Sequence, residues 1–386
     1  MGKINRTGNI PFGMGSRPLA TDRWVCAVES AHPSVYKIMR KFLNYIKGKE
    51  MQRLKTVLTL WMLGLLLTGC SGTPAEGQPA TEAGANTTGK ITVVSTYSIL
   101  GDWVQAVGGD KVTVRTLVGP GGDAHTFEPT PTDGVALAEA DIVFENGFGF
   151  EPWLDDLYTA SGSDAPRVVV TDGIDPLSAS DEAHSDEEHD EDEAESAEDD
   201  HAEEEDHGEV DPHVWHDVGL AIQMVEAVRD GLSETDPANR ATYQANADAY
   251  LGQLRELDQF VLGEVDKLPV EQRKLVTTHD TFGYFAKRYG FEIVGTAIAS
   301  VSTEAGDPSA AAIAELVEEI KATGVKTIFA ENISNNDLMS QIAQEAGVTL
   351  APTLFTDALG ESGSEGDSYL KMVRYNVTTM VEALDP

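Results

Sequence analysis

The sequence predicts an α/β protein with two lobes, each built on a mainly parallel sheet flanked by helices, and with one long bridging helix between them. From Lys90 onwards, short runs of β-branched residues alternate with longer amphipathic runs, a pattern typical of parallel α/β units. One longer amphipathic run interrupts this alternation, which then starts again. With 386 residues, 41% of them hydrophobic, the chain is long enough for two globular domains.

The first series of elements predicts an N-terminal lobe over residues 90–180, completed by residues 210–236. Its β-branched runs predict strands at residues 91–95, 112–117, 142–145 and 168–170. Its amphipathic runs predict helices at residues 98–107, 131–140, 152–160 and 217–233. Because helices separate the strands, we expect the strands to run parallel.

The bridging helix is predicted from Pro237 to about residue 265. Proline is tolerated at the start of a helix, where its missing N–H costs little. The apolar residues that follow form one stripe, at spacings of three and four: Tyr243, Ala247, Tyr250, Leu254, Leu257 and Val261. At ~1.5 Å per residue this segment spans about 40 Å, more than one small domain needs. We therefore expect it to bridge two lobes.

The second series of elements predicts a C-terminal lobe over residues 266–386. Its β-branched runs predict strands at residues 274–277, 291–296, 326–330 and 348–351. Its amphipathic runs predict helices at residues 281–289, 309–323, 335–346 and 368–384.

Residues 181–209 hold eighteen Asp or Glu residues, four histidines and no Lys or Arg. So charged a segment cannot bury enough apolar surface to order itself, and we expect a disordered loop. Imidazoles among carboxylates form weak, exchangeable sites for divalent metals. The loop is therefore either a solubilising insert or a collector or sensor of metal. Its candidate secondary metal ligands are His184, His189, His201 and His207.

The charge of the chain favours cations as partners. The net charge is −38, and removing the eighteen acids of the loop still leaves an excess of about twenty negative charges. Nucleic-acid binding needs clustered Lys and Arg, so we expect no nucleic-acid partner.

Residues 1–69 are interpreted as a signal region. Arg53 and Lys55 precede an apolar run at residues 57–67, which is too short to span a membrane. The ending Leu-Thr-Gly-Cys resembles a bacterial lipobox, in which Cys70 becomes the lipidated first residue. A cleaved soluble signal or a stray apolar run is the alternative. Starts at Met39 or Met51 would give an ordinary signal, so residues 1–50 are expected to lie upstream of the true start.

Residues 70–89, rich in Gly, Thr, Pro, Ala and Glu, have the composition of a flexible tether. The mature protein is thus expected to be an extracytoplasmic lipoprotein, anchored to a membrane rather than embedded in it. It would lack Cys26, and with it any disulfide.

Outside the acidic loop, three histidines lie where a predicted strand or loop gives way to the next element: His125, His213 and His279. Ligands of open α/β sheets bind beyond the carboxyl ends of strands, so these side chains could converge on one cleft. Each alone could equally be a helix cap or a satisfied polar group. A metal would need a fourth ligand, for which Asp357 and Glu331 are the candidates.

Four local sequences together resemble the metal-ligand motifs of the zinc/manganese solute-binding proteins of bacterial ABC importers, the cluster A-I family. They are HTFEPTP at residues 125–131, DPHVW at 211–215, THDTFGYF at 278–285 and TDALG at 356–360. The likeness covers about residues 90–384, in order, and includes an acidic His-rich insert before the second motif.

This resemblance implies a metal held between the lobes by His125 and His213 from the first and by His279 and Asp357 from the second. It implies delivery of the metal to an ABC permease and its ATPase. Manganese-binding members carry Glu at the third position and zinc binders carry His, so the resemblance favours Zn²⁺ over Mn²⁺. A manganese or iron binder of the same class and a surface adhesin with the same fold are the alternatives. We expect a monomer.

The same ligand set argues against an enzyme. Three His and one Asp can close a tetrahedron around zinc, whereas a zinc hydrolase keeps an open position for water beside a general base. The chain has no His-Glu-x-x-His pair and no Gly-x-Ser-x-Gly elbow, although Glu331 could serve as a base. His216 departs from the resemblance, because an apolar residue is usual there. It is expected either to pass metal inward or to be solvated in the first helical turn.

Overall fold

A computed structural model describes residues 89–178, 210–306 and 308–385 of the chain. The predicted signal region, the lipidation site at Cys70, the tether up to residue 88 and the four loop histidines lie outside these residues. Within them, no helix is both long enough and apolar enough to cross a membrane.

The first lobe is a parallel sheet covered by helices on both faces. Its four strands are β1 (Ile91–Tyr97), β2 (Val112–Val118), β3 (Ile142–Glu145) and β4 (Arg167–Val169). They lie in the order β2-β1-β3-β4, and every pair is parallel. Its helices are α1 (Ser98–Gly108), α2 (Pro131–Ala138), α3 (Leu154–Ser161) and α4 (Val218–Thr235).

Alternation along β1 separates the two faces of this sheet. Val93 and Tyr97 pack into the large core with α1 and α4, whereas Val94 packs into a smaller cluster with α2 and α3. Successive side chains of a strand point to opposite faces, so both faces of β1 are buried, as a parallel sheet requires.

A short antiparallel pair flanks the acidic segment and was not anticipated from the sequence. It consists of β5 (Leu177–Ser178) and β6 (Val210–Asp211). Because Ser178 pairs with Val210, the two ends of the acidic segment lie side by side, three residues before His213.

The long helix α5 (Arg240–Val265) has 26 residues, a length of about 39 Å. Pro237 lies in a preceding 3₁₀ turn, Pro237–Asn239, rather than in the helix itself. The whole predicted stripe from Tyr243 to Val261 is buried. It packs against α1 and α4 of the first lobe and against the final helix, α9 (Tyr369–Leu384). The long helix predicted from the stripe is confirmed.

The second lobe contains two parallel strand pairs. The first is β7 (Lys274–His279) with β8 (Glu292–Ile298), and the second is β9 (Thr327–Ile328) with β10 (Thr349–Leu350). The N–H of Phe329 donates to the carbonyl of Val276 at 2.9 Å and joins the pairs. Three further helices belong to this lobe: α6 (Gly283–Tyr289), α7 (Ala310–Thr323) and α8 (Asp337–Ala346).

The strands β9 and β10 are shorter than the predicted runs 326–330 and 348–351. Glu331 follows β9, and its side chain accepts the N–H groups of Thr278 and His279 at the end of β7. These two N–H groups therefore do not donate to a neighbouring strand. Pro352 follows β10 at a distance of two residues and has no N–H to extend the ladder. Next to the residues of the predicted site, the segments after β9 and β10 pair through one isolated parallel bridge, Glu331 with Leu354.

Candidate metal centre

The structure brings the four predicted ligands together. His125 lies in the loop after β2, His213 directly before the 3₁₀ turn Val214–His216, His279 at the end of β7 and Asp357 in the loop after β10. One ligand atom from each lies within 4.8 Å of all the others. All four side chains are buried, with His213, His279 and Asp357 fully inaccessible. The carboxyl ends of strands from both lobes thus meet at one point, as open α/β sheets permit.

The distances among these atoms describe a small, closed cage. The Nε2 atom of His213 lies 3.3 Å from the Nε2 atoms of both His125 and His279. The Asp357 carboxylate lies 3.2 Å from His279 Nε2, 3.5 Å from His125 Nε2 and 3.7 Å from His213 Nε2. Metal–ligand bonds of 2.0–2.2 Å place tetrahedral ligands about 3.3–3.6 Å apart. The five distances, from 3.2 to 3.7 Å, lie in or close to this range, so the ligand atoms are close enough together to surround one metal ion.

A carboxylate fixes the ring of each of two histidines from behind. Asp211 Oδ1 lies 2.8 Å from His213 Nδ1 and also accepts the backbone N–H of His213 at 2.8 Å. Glu331 Oε2 pairs with His279 Nδ1 in the same way. Each Nδ1 therefore carries the proton that it donates, so Nε2, directed into the cage, is the atom that can bind a metal once its own proton has left.

Glu331 stands behind His279 rather than serving as the fourth ligand or a base facing the cage. Its Oε1 atom accepts the backbone N–H groups of Thr278 at 2.8 Å and His279 at 3.0 Å. Its Oε2 atom also accepts the hydroxyl of Thr356 at 3.3 Å. With its oxygens committed to these donors, Glu331 is a buried, hydrogen-bonded anion, and Asp357 provides the oxygen of the cage.

The position of His125 is fixed by a hydrogen bond of its backbone and by the packing of its ring. Its backbone N–H donates to Asp123 Oδ1 at 2.9 Å, and its imidazole meets Phe150 edge to face with ring centroids 4.8 Å apart. Phe150 in turn packs on Trp215 at 4.9 Å. This aromatic wall excludes water from one side of the cage and strengthens electrostatic interactions within it.

The charges of the cage shift the pKa values of its members. Burial disfavours the charged form of His213, but the carboxylates of Asp357 and Asp211 outweigh it and raise its pKa to about 9. Burial opposed by Glu331 and Asp357 leaves the pKa of His279 well above its ordinary value. Burial alone would raise the pKa of Asp357, but the positive charges of His279 and His213 hold it well below its usual range. Protons thus occupy the site where a metal cation would bind.

One buried oxygen of Asp357 points to a cation by itself. Asp357 Oδ2 has no hydrogen-bond partner among the described residues and faces the Nε2 atoms of His125 and His279. A buried carboxylate oxygen without a hydrogen-bond donor is costly unless a cation, either an imidazolium or a metal ion, lies against it. The donor set and this oxygen both fit a divalent metal.

His216 was expected either to pass metal inward or to be solvated in the first helical turn. The second expectation is wrong. It is only 3% exposed, lies in the 3₁₀ turn Val214–His216 and packs on Phe282 with ring centroids 4.5 Å apart. Among the described residues it does not belong to the group of possible metal ligands, which comprises the other four. Burial, together with the positive charge of His213, lowers its pKa to about 3.

Sequence reasoning missed Asp211 and Thr281, which contact the ligands His213 and Asp357. An Asp two residues before a His could have been recognised locally, since its side chain commonly accepts the N–H two residues on. Thr281 had no such signal, because its partner Asp357 is 76 residues away.

Residues 93–383 match the model of the family described as zinc-uptake complex component A, periplasmic (ZnuA). The chain belongs to this family. Its members are substrate-binding proteins of metal uptake, so the protein binds metal and is not an enzyme.

Curated relatives of the family are similar over most of their length. The chain is 32% identical to the manganese-binding lipoprotein MntA of Halalkalibacterium halodurans over 327 residues, 84% of this chain and 96% of that protein. It is 29% identical to the iron-binding protein YfeA of Yersinia pestis over 308 residues, 80% of this chain and 89% of that protein.

Solved structures show the same two-lobed fold. The periplasmic zinc-binding protein TroA of Treponema pallidum is 31% identical, with a TM-score of 0.66 over 77% of this chain and 100% of that one. A manganese-bound periplasmic metal-binding protein of Candidatus Liberibacter asiaticus is 26% identical, with a TM-score of 0.64 over 76% and 100%. The metals named for these proteins differ, so the metal of this chain must be argued from its own site.

Proposed function

We propose that this protein captures Zn²⁺ between its lobes and delivers it to the permease of an ABC importer. The observation that carries the proposal is the donor set of the cage. Three imidazole nitrogens and one carboxylate, with a ligand atom of each within 4.8 Å of the others, form the donor set of a tetrahedral zinc site.

The third ligand supports zinc over manganese. Imidazole nitrogen suits Zn²⁺, whereas Mn²⁺ favours oxygen donors and a larger coordination number. In this chain the third ligand is His279, whose Nε2 atom lies 3.3 Å from that of His213. The carboxylates of Asp211 and Glu331 add negative charge behind the rings, which raises the basicity of the nitrogens and favours a divalent cation.

Manganese is the second candidate, because relatives named for manganese or iron share 29–32% identity with the chain. Metal competition at the same site separates the two. An adhesin with the same fold is separated by growth, since only loss of an importer component creates a growth defect under zinc limitation.

Delivery implies an anchored protein that meets a permease and its ATPase in the same membrane. Several relatives are named as substrate-binding lipoproteins of ABC transporters. We accordingly assign a signal region to residues 1–69, lipidation to Cys70 and a tether to residues 70–89. Residues 90–180 and 210–236 then form the first lobe, residues 237–265 the bridging helix and residues 266–386 the second lobe. The protein acts as a monomer at the outer face of the membrane.

The acidic residues 181–209 are proposed to collect zinc at low affinity. The chain enters and leaves this segment at the pair Ser178–Val210, next to Asp211 behind ligand His213. Metal collected by His184, His189, His201 or His207 would then pass to the cage.

Calorimetry with zinc and with manganese tests the proposal on the protein, on His279→Ala and on a variant lacking residues 181–209. We expect one tight zinc site that is lost in His279→Ala and kept in the deletion, which should lose only weak sites. A preference for manganese, or tight zinc binding that survives His279→Ala, would contradict the proposed zinc site.

A further inference from the structure

The two oxygens of Asp357 have different surroundings. Oδ2 faces His125 and His279 and accepts no hydrogen bond within the described residues. Oδ1 lies 3.7 Å from His213 Nε2 but accepts the hydroxyl of Thr281 at 3.2 Å. Both oxygens are within reach of a metal in the cage, so the carboxylate could bind through one oxygen or through two.

A second buried side chain stands behind Thr281. The Thr281 hydroxyl has one proton, and an ionised Asp357 can only accept it. The contact of 3.3 Å between Thr281 Oγ1 and His216 Nε2 therefore has His216 as the donor. A directed chain of hydrogen bonds runs from His216 through Thr281 to Oδ1 of Asp357.

This chain of hydrogen bonds is buried, and its first donor, His216, is held in place by packing. Thr281 and Asp357 are fully inaccessible, and His216 is 3% exposed. The imidazole of His216 packs against the rings of Phe282 and Trp215, with centroids 4.5 and 5.7 Å away. Since the lowered pKa of His216 keeps it neutral, its tautomer can serve one fixed hydrogen bond.

We propose that Thr281 and His216 are positioning residues that favour zinc by restricting Asp357 to one metal-bound oxygen. With Oδ1 engaged, the cage offers three nitrogens and one oxygen, the four-coordinate set that zinc prefers. With Oδ1 released, the carboxylate could add a fifth bond, which suits Mn²⁺ better. This inference rests on the proposed zinc site and adds the residues that determine its selectivity.

The test combines metal competition with Co²⁺ as a spectroscopic probe. Tetrahedral Co²⁺ absorbs visible light much more strongly than five- or six-coordinate Co²⁺, so the spectrum reports the coordination number directly. Thr281→Val keeps the shape of the side chain and removes the hydroxyl. We expect it to reduce the preference for zinc over manganese about tenfold and to weaken the visible Co²⁺ bands.

Conservative variants separate positioning from packing. Thr281→Ser restores the hydroxyl and should restore both the selectivity and the spectrum. His216→Leu removes the donor behind Thr281 and should shift both readouts in the same direction by a smaller factor, whereas His216→Gln, which keeps a donor, should recover part of the loss. His216→Leu decides the matter by itself if Thr281→Val does not fold.

The outcomes distinguish this inference from the proposed function. If Thr281→Val, or His216→Leu in its place, keeps the selectivity and the Co²⁺ spectrum of the unmodified protein, the positioning role is wrong while the zinc site stands. If the unmodified protein already holds Co²⁺ with five or six ligands and does not prefer zinc, both the zinc site and the inference fail before any variant is made.

Discussion

The two halves of the metal centre support the same chemistry in different ways. In the first lobe, the carboxylate behind His213 belongs to Asp211, only two residues away. In the second lobe, the carboxylate behind His279 belongs to Glu331, 52 residues away and beyond a different strand. The first half is therefore organised by local sequence, and the second half exists only once the lobe has folded.

The two carboxylates also differ in how many groups they hold. Within the described residues, the carboxylate of Asp211 accepts two hydrogen bonds, both from His213. Glu331 accepts from His279 and Thr278 at the end of β7 and from Thr356, the neighbour of ligand Asp357. One buried carboxylate thus positions both ligands of the second lobe, whereas Asp211 positions one ligand of the first.

The largest expected effect comes from removing the negative charge behind each histidine ligand. Glu331→Gln does this in the second lobe and Asp211→Asn in the first. We expect Glu331→Gln to weaken zinc binding about 100-fold and Asp211→Asn to weaken it about tenfold, as for other groups behind metal ligands. The Gln amide places donor hydrogens opposite N–H groups, so Glu331→Gln should also cost about 2 kcal/mol of the free energy of unfolding. Competition with a chelator and thermal unfolding measure both effects.

Exposed carboxylates provide matched controls for these substitutions. Glu315 on α7 and Asp156 on α3 are both exposed. Glu315→Gln and Asp156→Asn should leave zinc affinity and stability unchanged. Equal losses in Glu331→Gln and Asp211→Asn would show that the two halves are supported equally, against the comparison drawn from their hydrogen bonds.

The second expected effect is a release of protons from both halves when zinc binds. The pKa of His213 is raised to about 9 and that of His279 lies well above its ordinary value, so both imidazoles are protonated at neutral pH without metal. Each displaced proton makes the apparent affinity rise about tenfold per pH unit, up to the pKa of the group. The rise should therefore continue to about pH 9 rather than end near the ordinary histidine value.

Zinc affinity rises with pH, but the free energy of unfolding of the metal-free protein should fall as the pH rises. A raised folded-state pKa means that the ion pair of His213 stabilises the fold fully below about pH 6.5 and is lost as the pH rises through about 9. Zinc should thus stabilise the protein more at pH 9 than at pH 6.5. Calorimetry in buffers of different ionisation enthalpy counts the protons. Asp211→Asn should reduce the share from the first lobe, since Asp357 still raises the pKa of His213, and a count of zero at pH 7 in the unmodified protein would refute this account.

The fold could be predicted wherever the signal is periodic and local. The stripe from Tyr243 to Val261 identified α5, and the β-branched runs identified β1 and β3. The strands β9 and β10 were predicted too long, because the ends of a strand depend on its partners. Glu331 replaces a backbone partner at the end of β7, and nothing local to β9 indicates this.

For the site too, residues recognisable from local sequence could be predicted, whereas roles that depend on distant contacts could not. His125, His213 and His279 could be proposed as neighbours because each lies at a strand end or a loop beside it. Their fourth partner could not be chosen between Asp357 and Glu331 from the residues alone, since both follow strands of the second lobe. His216 was misjudged because its burial depends on Phe282, a contact made only in the folded protein. Local sequence identifies candidate ligands, and tertiary packing decides their roles.

The smallest expected effect concerns the contact that joins the two halves beside His125. Asp123 of the first lobe accepts the N–H of His125 through Oδ1, and its Oδ2 atom accepts the hydroxyl of Thr303 of the second lobe at 2.6 Å. Thr126, within the first lobe, donates to the same Oδ2 atom at 3.0 Å.

Thr303→Val should speed zinc dissociation about fivefold, equivalent to about 1 kcal/mol, because the hydrogen bond that it removes joins the two lobes. Thr126→Val removes a bond to the same oxygen within one lobe and should leave the rate unchanged. Stopped-flow mixing with a chelator measures both rates, and equal rates in the two variants would mean that the lobes are not held together through Asp123.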